Sequence, residues 1–238
     1  MSYYKDIYND FPLRCGNLWK KMRSHAEREE LDVTFMLMTA AAGLAAPFEH
    51  IKENVLKNGD QYRPPAFTEG NDEHYEKILK DVKKAIDGEL LKSEAFKHLP
   101  IARWKLRTLD NPSQIVGYLE FPDESIGRPF SIRSARDLIK VFRNAIAHNN
   151  IHAFNRTRAA EIDEIALFKE DRGPYNKKTN QCEILGYNVI SLPHTDFAAF
   201  LDAWFALLRK VGKDKEHLRK VLRFVSQEEG QDQIYANE

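Results

Sequence analysis

Cysteine is almost missing from this chain. Cys15 and Cys182 stand far apart and without C-x-x-C spacing, which excludes a disulfide framework and a thiolate zinc site and fits a reducing compartment. Neither sign of charge dominates: Lys plus Arg and Asp plus Glu number 36 each, so any attraction to nucleic acid has to be local. No apolar run reaches the roughly 20 residues of a bilayer span. The longest uncharged stretch, residues 33–48, is interrupted by Gly43 and Pro47, and no membrane partner is expected. The opening MSYYKDIYNDF has neither a basic n-region nor an apolar h-region, so no secretory leader and a cytoplasmic location are expected. P-loop, GxGxxG, HExxH and GxSxG motifs are also missing, leaving nucleotide hydrolysis, dinucleotide redox and standard hydrolase chemistry without their usual carriers; no cofactor is expected.

What is present is helical periodicity. With 42% apolar residues the chain has ample material for a core. Helices are expected over Leu13–Ala26, over a small-residue-rich Leu31–Glu53, from Tyr75 to Leu91, from Thr195 to Gly212 and over Asp214–Val225. The turn-rich Asn58–Asn71 reads as a loop insertion, and residues 100–130 as irregular and aromatic. Within the latter, Arg103, Lys105 and Arg107 surround Trp104, either as an aromatic-basic patch for a single strand or as a core-anchoring Trp flanked by surface charges. A loop is expected at His152–Arg158, and alternating, β-branched runs at about 161–191 predict a small β-hairpin. The expected class is mainly α, one domain over residues 1–238, with the hairpin as an appendage in the C-terminal half.

The organising stretch is Phe130–Asn150, FSIRSARDLIKVFRNAIAHNN. Ile132, Ala135, Leu138, Ile139, Phe142, Ala145 and Ile146 form one apolar stripe, with Ser131 as the expected N-cap and an end near His148, where Asn149 and Asn150 supply a helix stop. The opposite face carries Arg133, Arg136, Lys140 and Arg143.

The string Arg143-Asn144-Ala145-Ile146-Ala147-His148 at that helix end resembles the R-x4-6-H signature of the HEPN superfamily, in which a polar residue commonly follows the Arg. The resemblance implies a HEPN-like helical bundle with a four-helix core. It implies a metal-independent endoribonuclease of a toxin-antitoxin or phage-defence system, leaving a 2′,3′-cyclic phosphate and a 5′-hydroxyl, or else a non-catalytic module that binds RNA or a protein. A homodimer with a composite site, and an antitoxin as a further partner, belong to the same expectation. No tyrosine closely follows His148, so an antitoxin acting by modification of such a residue is not supported. An unrelated helical interaction protein is the remaining reading.

The residue types suit RNA cleavage. An imidazole gives and takes protons near neutrality, and a guanidinium presents paired donors to phosphate oxygens. Arg143 and His148 are therefore the catalytic candidates, Asn144 and Asn149 the supporting ones, and Arg136, Lys140, Arg156 and Arg158 the candidate RNA contacts. Between Ser131 and Arg158 these bases, with Arg133, face only Asp137, although Glu161, Asp163 and Glu164 follow closely. His148 and His152 are four apart, but the Asn pair intervenes and no carboxylate has ligand spacing with them, so no metal is expected. Five helical positions turn through about 500°, leaving Arg143 and His148 some 140° apart. Either the backbone distorts before Asn149, or two copies of the helix end complete one site.

Overall fold

The computed structural model describes residues 7–45, 84–120, 126–155, 162–176, 179 and 181–211. In chain order these form α1 (Ile7–Arg28), α2 (Asp32–Ala40) prolonged by a π-helical turn (Ala41–Ala45), 3-10 turns at Leu90–Lys92 and Ile101–Arg103, β1 (Lys105–Leu109) and α3 (Pro112–Glu120). Then follow β2 (Arg128–Pro129), α4 (Ala135–Ala147), β3 (Ile151–Phe154), β4 (Glu164–Asn176), β5 (Gln181–Pro193) and α5 (His194–Val211). The loop expected at 58–71, most of the helix expected at 75–91 and the helix expected at 214–225 lie outside the described residues.

The expected class is corrected by the strands. They form an antiparallel five-stranded sheet of order β2-β1-β5-β4-β3, so the protein is mixed α/β rather than a mainly α HEPN-like bundle with a hairpin appendage. The expected hairpin exists as β4 and β5, but it forms the middle of the sheet. β5 pairs on one side with β1, from Lys105 opposite Ser191 to Leu109 opposite Tyr187, and on the other with β4. Local pattern could not show this, because β1 and β5 are joined through the ladder only after some eighty intervening residues. β1 also hides its strand character: Leu106 joins the core on one face and Leu109 that on the other, so KLRTL does not alternate cleanly.

Residues expected to be irregular also include α3, whose start carries a readable signal. Pro112 occupies the first helical position, Asn111 Oδ1 accepts from the Gln114 amide at 3.1 Å, and Gln114 Oε1 accepts from the Asp110 amide at 2.7 Å. This is close to a reciprocal capping box behind an N-terminal proline.

The sheet separates two cores. On one face Ile165, Leu167, Ile190 and Leu192 pack with α1, α2, α4 and α5; on the other, Ala166 and Val189 pack with Leu109 and with Ile115 and Tyr118 of α3. Phe142 of α4 sits at the centre of the larger core, edge-on to Phe200 at 4.8 Å and to Phe197 at 5.1 Å, both on α5. Trp19 of α1 ties to α5 by donating its indole N–H to Asp202 at 2.7 Å, beneath the Arg23 guanidinium.

The small-residue run of α2 allows close approach. A Cβ on Gly43 would come within 2.5 Å of the buried Phe205 ring, while the π turn leaves the Gly43 carbonyl to accept from Trp204 Nε1 at 2.8 Å. Gly43→Ala is therefore expected to destabilise the fold by about 1–3 kcal/mol, as overpacking does. Gly117→Ala, in α3 and with nothing within 4 Å of the added Cβ, is expected to stabilise it by about 0.5–1 kcal/mol. Urea titrations of the two variants check the pair, and equal effects would contradict this packing.

Candidate functional site at the end of α4

The helix that carries the candidate residues starts later than its periodicity suggests. Ser134, not Ser131, is the N-cap: its hydroxyl accepts from the Asp137 amide at 3.2 Å and donates to the Asp137 carboxylate at 2.8 Å. Ser134 is itself extended and bridges Glu89, with the Arg133 carbonyl accepting from the Leu90 amide. Ile132 matches the helical stripe because it packs on the same core from that extended segment.

At the other end the closure is well defined. Asn149 adopts a left-handed φ of 54°, the Asn149 amide donates to Ile146, and the Asn150 amide donates to Ala145 at 2.7 Å. This paired closure is the Schellman arrangement, and it accounts for the Asn pair. Asn150 then accepts from the Phe168 amide, so the chain passes from helix to β3 without a loop. The stretch expected to be a loop from His152 thus begins as a strand.

His148 is the C-cap residue and its side chain is exposed. Arg143 is half-buried, and its Nη1 donates to Asn144 Oδ1 at 2.6 Å. The carboxamide of Asn144, a supporting candidate, therefore holds the guanidinium. Because residues through Ala147 are helical, His148 keeps the helical phase, and the roughly 140° between it and Arg143 remains. The backbone leaves the helix only at His148 itself, with φ −106° and ψ 8°, too late to converge the two side chains. They flank the wet arc of α4 from opposite sides.

Of the candidate RNA contacts, Lys140 is half-buried on the stripe that leads to Arg143. Arg136 lies on that stripe as well, but it is ion-paired with Asp87. Arg156 and Arg158 lie outside the described residues. Trp104 is no stacking platform: it is 5% exposed and donates to the buried Asp196 carboxylate, which also receives Arg103. His152, exposed on β3, stacks on Phe154 with ring centroids 5.8 Å apart. His148 and His152 thus belong to different elements. Among the described residues no three His, Cys, Asp or Glu side chains group as metal ligands, and no helix is long and apolar enough to cross a membrane.

The family model described as HEPN pEK499 p136 matches residues 1–215. No curated protein and no solved structure matches the chain.

The left-handed closure is testable on its own. Asn149→Gly is expected to leave stability within a few tenths of a kcal/mol, whereas Asn149→Val is expected to lower it by about 1–2 kcal/mol, the steric cost of that backbone for a side chain branched at Cβ. Denaturant melts distinguish the two, and a harmless Val would contradict the closure.

Proposed function

The chain belongs to the HEPN pEK499 p136 family, and on that premise we propose that it is a metal-independent endoribonuclease working at the C-terminal end of α4. The observation that carries this reading is that His148 caps that helix with its ring in solvent, across the wet arc from a stripe running through Lys140 to Arg143. RNA is the substrate. The 2′-hydroxyl attacks the adjacent phosphorus, its proton passing to a base, and the P–O5′ bond breaks as the leaving oxygen takes a proton. The products are a 2′,3′-cyclic phosphate and a 5′-hydroxyl. The imidazole of His148 suits one proton transfer, and the guanidinium of Arg143 suits the charge that grows on the phosphate.

Since Arg143 and His148 diverge on one helix, a homodimer with two α4 ends at one cleft supplies the geometry. A two-fold axis makes any patch near it meet itself. In such a cleft the guanidinium of one copy serves the phosphate on which the imidazole of the other works. The biological setting we propose is a toxin-antitoxin or phage-defence system, in the cytoplasm, with an antitoxin as the controlling partner. The partial burial of Arg143 and its bond to Asn144 favour one alternative, a non-catalytic module that binds RNA or a protein and uses the Arg to brace the helix end.

Purified protein incubated with RNA in EDTA is expected to cleave it, and His148→Ala is expected to slow cleavage by about 100-fold or more. Arg143→Lys, which keeps the charge and loses the planar fork, is expected to lose cleavage with an unchanged circular dichroism spectrum. Cleavage persisting in both variants, or RNA bound and never cut by the wild type, would refute the reading.

A further inference from the structure

The sheet has two edges and they differ. β2 is two residues long and ends in Pro129, which has no amide hydrogen to offer a neighbour, a common guard against edge pairing. β3 at the other edge reads Ile-His-Ala-Phe, with neither proline nor lysine. Asn150 and Phe154 turn their carbonyls toward β4, accepting from Phe168 at 3.1 Å and from Asp163 at 3.3 Å. Antiparallel ladders alternate in direction, so Ile151 and Ala153 turn their N–H and C=O groups outward. Among the described residues none bonds to those groups.

We propose that the outer edge of β3 is the surface by which two copies of this chain join, pairing antiparallel about a two-fold axis at His152. In that register Ile151 of one copy opposes Ala153 of the second and the reverse, so four backbone hydrogen bonds form between edges that satisfy themselves. Other registers centred on Ile151 would require Asn149 to act as a strand residue, which its left-handed φ of 54° forbids. The axis stands perpendicular to the joined sheet, so both α4 helices lie on the same face. The two Asn150 residues are then four strand positions apart, about 14 Å, with the two helix ends flanking the axis. This identifies the partner surface for the composite site of the proposed nuclease, and it rests on that reading only in what the dimer is for.

Light scattering on the full chain at micromolar concentration is expected to give twice the chain mass. Ala153→Pro is expected to give a monomer with an unchanged circular dichroism spectrum, because the amide it removes does not serve β4. His152→Cys provides a second test that leaves the backbone alone. At a non-hydrogen-bonded position on the axis the two Cα atoms approach to about 4.5 Å, within disulfide range, and mild oxidation is expected to cross-link the chains. A wild-type monomer, a dimer that persists in Ala153→Pro, or a His152→Cys chain that does not cross-link overturns the proposal. RNA cleavage by a dimer that persists in Ala153→Pro would discard this edge and keep the nuclease. A dimer lost in Ala153→Pro, in a protein that never cuts RNA, would do the opposite.

Discussion

The direct passage from α4 into β3 is the constraint on which the rest of this structure turns. Asn149 in the left-handed region closes the helix with two bonds to its own last turn, and the next residue is already in register with β4. The end of the helix is thereby fixed to the edge of the sheet. A looser connection would let the last turn fray, and Arg143, Asn144 and His148 would then have no defined relation to the surface beside them.

That anchorage is supported from beneath. Phe142, one position before Arg143, is fully buried among Phe197, Phe200 and Trp104, while Asp196 at the start of α5 binds both the Trp104 indole and Arg103. The rotation of α4 is set by this aromatic contact, since turning the helix would pull a large ring out of an edge-to-face arrangement. The same rotation decides which residues face water. Chemistry-bearing side chains occur on the wet arc because the dry arc is filled by the core.

Much of α4 was legible in the sequence, and the reason is that its information is local. Its stripe, its Arg-Asn-Ala-Ile-Ala-His string and its Asn stop lie within one short stretch, so periodicity and turn chemistry suffice. Its N-cap was misplaced by three residues because Ile132 meets the core from an extended segment, and burial alone does not distinguish the two conformations. The sheet was illegible beyond its hairpin. β1 finds β5 far along the chain, β1 and β3 are short, and each puts apolar residues on both faces, which erases the alternation by which strands are recognised. The role of Asn144 was also hidden, since choosing between a neighbouring Arg and a His one turn away depends on rotamers that sequence does not display.

The central claim is that the imidazole of one α4 end and the guanidinium of another act on the same phosphodiester. Mixing two inactive proteins, His148→Ala and Arg143→Lys, tests it most directly. In a composite site the mixed dimer carries one intact Arg-His pair, and random exchange of subunits is expected to restore about a quarter of wild-type RNA cleavage. A mixture that exchanges subunits and stays as inactive as its components would contradict the account.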